Sequence, residues 1–348
     1  MKSRLVGALG AAALCLGLVA SHAPLAAAAT PDTRGLFGAA DPTYDGVLRQ
    51  STAIVGLAAV GQRVPASAVQ WLLRQQCADG SFAAYRPDPA TACPKPDSAT
   101  FTGPDTNSTA AAILALRQVA GPSAKDPARR ALARAQAWLA RQQTSGGGWE
   151  WIAGLGPDAV STSMSIAALS PGAGRRGVRA MRWLARQVDV AADCSVRFQP
   201  NAAADPLSTA WAFIAVEGPL PYAPLKGPRS SARCPDNRQA VMGAGAWLAD
   251  ALITGNGQIP SAYDATSTDW NSTALATLGM SQRNGSTDAL RRGLAALQAN
   301  VDTYAGTGDA SNPTALGTLL MVAHATKSKP RDFGGVDLTT RLLATLQA

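Results

Sequence analysis

Residues 134–149 read RAQAWLARQQTSGGGW. The stretch begins as an amphipathic helix with apolar and small residues at helical spacing, and it ends in a glycine-rich turn that closes on a tryptophan. A similar stretch stands earlier in the chain, where Trp71 and Gln76 are followed by Gly80 and Phe82. A helix followed by a Gly-x-aromatic turn, repeated along one chain, predicts helical hairpins joined in series.

The turn also recurs in less complete forms. Three further joints carry Gly257 with Ile259, Phe198 without the glycine, and Tyr304 without the glycine. A sixth joint would be split between the two ends of the chain, because Gln347 ends the last helix while Gly35 and Phe37 lie near the start. We therefore expect the two ends to meet and to close a ring.

Six uncharged, Ala/Leu-rich runs alternate with the amphipathic helices. Each run has a threonine followed by a small residue: Thr52, Thr109, Thr162, Thr209, Thr273 and Thr314. The amphipathic, Arg-bearing helices cover about 65–76, 127–143, 174–189, 238–253, 286–300 and 336–347. An uncharged helix before each charged one indicates an inner ring within an outer ring. The sequence predicts an all-α fold, an α6/α6 toroid of six inner and six outer helices, over residues 30–348.

These residues resemble the QW motif of the squalene cyclase-like superfamily, the terpenoid cyclase and protein prenyltransferase toroids. One copy is complete: Arg134, Ala135, Trp138, Leu139, Gln143, Gly147 and Trp149. The copy with Gln76, Gly80 and Phe82 has phenylalanine for the last tryptophan. In that family the glutamine bridges helix ends and the aromatic residue stacks between repeats, so the resemblance implies the scaffold and not the chemistry.

The first 29 residues have the composition of a signal peptide. Lys2 and Arg4 precede an apolar run from Leu5 to Ala20, and small residues end the segment at Ala29. No later segment is apolar for long enough to cross a bilayer, since Gly, Pro or charged residues interrupt each one. The sequence predicts a protein that is secreted or held in the cell envelope, with no membrane span.

Four cysteines follow the predicted signal peptide, an even number in an exported chain. We predict two disulfides, Cys77 to Cys93 and Cys194 to Cys234, because these pairs close the shorter loops. No pair has the spacing of a zinc knuckle, and His324 is the one histidine after residue 29, so neither a metal nor another cofactor is expected.

The net charge is +8, and many arginines cluster at helical spacing. They are Arg129, Arg130, Arg134, Arg141, Arg175, Arg176, Arg179, Arg182 and Arg186. Solvated helix faces explain these runs first, and an anionic cell-envelope surface is the alternative partner. No nucleic acid is expected, because the chain is exported and no aromatic residues are interleaved with the arginines.

Catalytic motifs of the resembling families are absent. The cyclases that protonate an alkene carry Asp-x-Asp-Asp, and the nearest stretch here is Asp105, Thr106, Asn107, Ser108. No two acidic residues are adjacent, which also excludes the Asp-Asp-x-x-Asp run that holds magnesium and diphosphate. We expect no catalytic residues, and we expect Asp105 to cap its helix in the charged form, which would make it a poor proton donor.

An aspartate precedes the repeated threonine by four residues in four of the six runs. These aspartates are Asp105, Asp158, Asp205 and Asp269. Helix capping is the simplest interpretation, because a side-chain oxygen there meets the first unpaired backbone N–H groups. The alternative is a ligand site at the mouth of the ring, with the neighbouring Trp151, Trp211 and Trp270 as its walls.

The favoured function is a non-catalytic exported protein that binds a small-molecule, lipid or glycan ligand in the ring cavity, or that serves as an envelope scaffold. A terpenoid- or prenyl-handling enzyme is the second hypothesis, and a glycan-active enzyme is the third.

Overall fold

A computed structural model describes residues 33–348 apart from 171, 173, 190, 191, 219, 226–239 and 265. The predicted signal peptide therefore lies outside the described residues. The helices are α1 (Gly46–Ala59), α2 (Ala66–Arg74), α3 (Thr106–Val119), α4 (Pro127–Arg141), α5 (Ala159–Leu169), α6 (Gly174–Ala185), α7 (Pro206–Glu217), α8 (Ala240–Thr254), α9 (Trp270–Met280), α10 (Thr287–Ala299), α11 (Val301–Ala305), α12 (Pro313–Thr326) and α13 (Leu338–Ala344). Two short strands, β1 (Phe82–Ala83) and β2 (Pro104–Asp105), pair antiparallel.

The helices that contain the Ala/Leu-rich runs form the inner ring. In chain order α1, α3, α5, α7, α9 and α12 each contact the next, and α12 contacts α1. The α1–α12 contact is backbone to backbone, because a Cβ on Gly56 would lie 2.5 Å from the carbonyl oxygen of Gly317. Most residues of these helices are buried, as expected for helices that are packed on nearly all sides.

The amphipathic helices form the outer layer. Each packs on the inner helix before it: α2 on α1, α4 on α3, α6 on α5, α8 on α7, α10 on α9 and α13 on α12. The all-α toroid predicted from the sequence is confirmed. The count of six inner and six outer helices stays a prediction, because the residues just before α8 are not described and the short α11 follows α10.

The QW residues bond the joints between hairpins. Gly147 has a positive φ of 102°, and a Cβ there would lie 2.7 Å from the carbonyl oxygen of Arg179. The side-chain amide of Gln143 donates to the carbonyl oxygens of Gly147 at 2.8 Å and Arg176 at 2.9 Å. The indole of Trp149 is buried, and its Nε1 donates to the Leu139 carbonyl oxygen at 2.8 Å.

One predicted joint residue is wrong. Phe198 is 40% exposed, whereas Val196 is fully buried and its backbone N–H donates to Oγ1 of Thr209 at 3.0 Å. The corresponding N–H of Trp149 donates in the same way to Thr162. Cys194, with a positive φ of 66°, stands two residues before Val196, where the joints at Phe82, Trp149 and Ile259 carry glycine. The sequence analysis placed this joint two residues too late because it followed the aromatic side chain of Phe198, whereas the buried position is taken by the aliphatic Val196.

The two chain ends meet as predicted. The backbone N–H of Gly35 donates to the Gln347 carbonyl oxygen at 2.9 Å, and that of Gln347 donates to Leu36 at 2.9 Å. The N–H of Phe37 donates to Oε1 of Gln50 at 2.8 Å, which ties the first strand-like segment to α1. These bonds place the split sixth joint where the sequence analysis expected it.

A disulfide joins Cys77 to Cys93, with Cα atoms 5.8 Å apart, and that pairing is confirmed. Cys194 is also disulfide-bonded, and Cys234, its predicted partner, lies outside the described residues. Tryptic mapping without reduction should yield a Cys194–Cys234 peptide, because Cys234 is the one cysteine after residue 29 that remains to be paired. A free thiol at Cys194 would contradict this pairing.

Candidate functional site

A cavity of about 280 Å³ lies within the inner ring. Every inner helix contributes to its wall, together with Leu220 from the segment after α7. The lining residues are Leu48, Ser51, Thr52, Val55, Asn107, Ala111, Leu114, Val160, Met164, Leu207, Trp211, Leu220, Asn271, Leu275, Thr314, Thr318 and Met321. No charged side chain is among them.

The lining residues follow a common register along the inner helices. Five helices contribute the residue two positions after the cap, namely Asn107, Val160, Leu207, Asn271 and Thr314. The same helices contribute the residue four positions further on, one helical turn deeper: Ala111, Met164, Trp211, Leu275 and Thr318. The cavity therefore runs along the ring axis from the N-terminal ends of the inner helices.

The cavity is more polar at its mouth than at its floor. Asn271 is exposed and Asn107 and Thr314 are half-buried at the N-terminal ends of their helices. The deepest lining residues, Leu114 and Met321, are buried and apolar. An opening at the asparagine end explains this difference in exposure.

The four repeated aspartates cap the inner helices. Each carboxylate accepts the backbone N–H three residues later, at 2.7 Å for Asp105, 2.7 Å for Asp158, 2.8 Å for Asp205 and 2.9 Å for Asp269. None of the four lines the cavity. The capping interpretation describes these contacts, and a role in ligand binding stays a prediction.

Two of these caps have a raised pKa. Burial raises the pKa of the Asp105 and Asp158 carboxyls to about 6, because lost hydration outweighs the hydrogen bonds from Ser108 and Ser161. The stabilisation of the charged form that the sequence analysis expected from the helix N-terminus is therefore outweighed at Asp105, although a carboxyl with a pKa of about 6 is still mostly charged at pH 7. The dipole is present, but desolvation of the carboxylate is larger than its effect.

Of the three predicted tryptophans, one reaches the cavity. Trp211 lines it from α7. Trp151 instead stacks on Phe101, with ring centroids 5.5 Å apart, and Trp270 is half-buried against the hydrophobic core at the start of α9. The structure thus brings Trp211 alone of the seven candidate residues to the cavity wall.

The residues that the sequence analysis missed are the two asparagines and the threonines of the wall. Asn107 occupies the third position of the Asp-Thr-Asn-Ser stretch, and it lines the cavity while Asp105 does not. A side-chain amide has no acidic proton to give to an alkene. The sequence signal that could have identified the lining residues at the mouth is their constant separation of two residues from the cap.

Some of the clustered arginines bond to the preceding outer elements. Arg176 donates to the carbonyl oxygen of Ala140 at 3.2 Å, and Arg179 donates to that of Thr144 at 2.8 Å. These bonds satisfy carbonyl groups at and just beyond the C-terminal end of α4. Arg176 and Arg179 therefore have a structural role at this joint, and both residues remain exposed.

Within the part of the chain that the structure describes, no group of three His, Cys, Asp or Glu residues could hold a metal ion. No described helix is long and apolar enough to cross a membrane. Burial lowers the pKa of the lone described histidine, His324.

Comparisons with known proteins give structural matches. No protein-family model and no curated protein sequence matches the chain. The ent-copalyl diphosphate synthase from Streptomyces platensis is similar over 81% of this chain and 50% of its own, with 18% identity and a TM-score of 0.53. The type II terpene cyclase MstE from Scytonema is similar over 80% of this chain and 77% of its own, with 16% identity and a TM-score of 0.46. The chain thus spans half the length of the synthase, and it has a terpenoid cyclase-like α/α toroid fold.

Proposed function

We propose that this protein binds one small, largely apolar molecule in the central cavity and does not transform it. The observation that carries the proposal is a cavity walled by all six inner helices with no charged side chain in the wall. Burial of apolar ligand surface against Leu, Val, Met and Trp side chains would supply the binding free energy. The volume is near the lower end for small-molecule pockets, which run from roughly 300 to 1,000 Å³.

The absence of an acid at the cavity wall supports binding without chemistry. Cyclisation by alkene protonation needs a neutral carboxylic acid within reach of the substrate. Asp105 has a raised pKa, but its carboxylate accepts the backbone N–H of Ser108 and lies outside the wall. At the wall, Asn107 presents an amide in its place.

The structural neighbours are named as a diphosphate synthase and a terpene cyclase. We therefore propose a prenyl-like ligand for this cavity. A glycan is less suited, because most of the lining residues are apolar and no charged side chain is among them. We also propose that the protein is exported and held in the cell envelope. There the arginine face would contact an anionic surface. The eight arginines of α4 and α6 are exposed, and those helices carry no acidic residue.

Filling the cavity should abolish ligand binding. Ala111 is buried and lines the wall, so Ala111→Phe should place a ring in the ligand's space and weaken binding of geranylgeraniol at least about 10-fold by calorimetry. Ala133→Phe on the exposed face of α4 is the matched control and should bind as the parent protein does. Equal affinities of the two variants would overturn cavity binding.

The same samples test the enzymatic hypothesis. Squalene and geranylgeraniol should be recovered unchanged after incubation with the parent protein, as measured by mass spectrometry and chromatography. A cyclised product that disappears in Asp105→Asn would replace the binding function by a cyclase function.

A further inference from the structure

The mouth of the cavity offers neutral hydrogen-bonding groups. Asn107, Asn271 and Thr314 stand at the second position after the caps of α3, α9 and α12. The amide oxygen of Asn271 has one long contact, 3.5 Å from the hydroxyl of Tyr304, and the Asn107 oxygen has one at 3.5 Å from Thr106. Both amides therefore retain capacity to donate and accept hydrogen bonds.

Five of the six inner helix ends around the mouth carry a side-chain cap, and α1 does not. Helix N-termini attract anions through their unpaired N–H groups and their dipoles. Here the carboxylates of Asp105, Asp158, Asp205 and Asp269 occupy those N–H groups, and the amide oxygen of Asn312 caps α12. An incoming phosphate or carboxylate would meet these negative charges and no Lys or Arg in the cavity wall.

The floor offers no polar partner of its own. Val55, Leu114 and Met321 are the deepest lining residues on their helices, and their exposed fractions are 3%, 5% and 4%. A polar head group buried there would lose its hydrogen bonds to water without replacement. The polar part of a ligand is therefore favoured at the mouth and the apolar part at the floor.

From this arrangement we infer that the ligand is an uncharged amphiphile, an apolar chain that ends in a hydroxyl or carbonyl group. The chain lies along the floor, and the head group hydrogen-bonds to Asn107 and Asn271. The inference rests on the proposed function and specifies the ligand class for the same cavity. Anionic heads, including phosphate and diphosphate, are disfavoured by the ring of cap carboxylates.

Head-group selectivity is the first test. Geranylgeraniol and geranylgeranyl diphosphate have the same apolar chain, and we expect the alcohol to bind at least about 10-fold more tightly to the full protein by calorimetry at pH 7. Equal or tighter binding of the diphosphate would overturn the inference and leave cavity binding intact. Failure of both compounds to bind would overturn the proposed function and the inference with it.

The second test locates the head group. Asn107→Leu should weaken binding of the alcohol about 3- to 10-fold, the effect of one hydrogen bond, while binding of the corresponding hydrocarbon should not weaken. Gln136→Leu, the same kind of change on the half-buried side of α4, is the control and should leave both affinities unchanged. An equal loss for the alcohol and the hydrocarbon would show that Asn107 does not contact the head group.

Discussion

Deletion of residues 336–348 is expected to abolish the cooperative thermal transition of the whole ring. The deletion removes α13, whose Leu338 and Leu342 are fully buried against the rest of the toroid. It also removes the backbone bonds that join Gln347 to Gly35 and Leu36. Burial of each leucine stabilises by about 1.5–3 kcal/mol, and a domain has roughly 5–15 kcal/mol in total.

The apolar surface of α12 would then face water, and α12 is the helix that closes the inner ring on α1. The measurement is thermal melting monitored by circular dichroism. Deletion of the exposed Ala348 alone is the control and should leave the transition unchanged. Leu342→Ala, a milder variant, should lower the free energy of unfolding by about 2–5 kcal/mol. An unaltered midpoint after the 13-residue truncation would show that the last hairpin is dispensable.

The joints were predictable because their requirements are local. A glycine with positive φ, an aromatic residue two positions later and a glutamine before them all appear in the sequence at fixed spacing, as with Gln143, Gly147 and Trp149. The joint at Cys194 and Val196 was not predictable in this way, since a cysteine adopts the same positive φ and an aliphatic residue takes the buried position. This joint keeps the positive φ but not the glycine that usually adopts it.

The cavity wall was hidden for a different reason. A helix such as α5, with sequence AVSTSMSIAAL, is uncharged and buried on nearly all sides, so no face is marked as the one that looks into the ring. Capping was readable from the four-residue offset of Asp158 to Thr162, but capping turns the carboxylate back toward its own helix. The aspartates are therefore close in sequence to the residues of the cavity mouth, but they do not line the cavity.

Acidification from pH 7 to pH 5 is expected to stabilise the protein through Asp105 and Asp158. Their folded-state pKa is about 6, above the value of 3.8 for a solvated aspartate, so the folded state takes up protons in this range while the unfolded state takes up few. The contribution to stability is fully present below the unfolded pKa and is lost as the pH rises through about 6. Each carboxyl should add about 1 kcal/mol over this interval.

Other groups also contribute to the pH dependence of stability. The lowered pKa of His324 acts in the opposite direction, because the unfolded chain binds that proton more tightly. The raised pKa of Glu217 acts in the same direction as the aspartates. The test is therefore the difference between the parent protein and a variant in which only the two aspartates change.

The double variant Asp105→Asn, Asp158→Asn should lose about 2 kcal/mol of that pH-dependent gain, as measured by urea unfolding at pH 5 and pH 7. Asparagine is an equally good cap, so at pH 7 the variant should be at least as stable as the parent. The matched control is the double variant Asp205→Asn, Asp269→Asn, which makes the same change at two half-buried caps. It should gain as much stability between pH 7 and pH 5 as the parent protein does. A full pH-dependent gain in the first variant would show that these buried caps are not the source, and that desolvation at Asp105 and Asp158 is balanced by their hydrogen bonds.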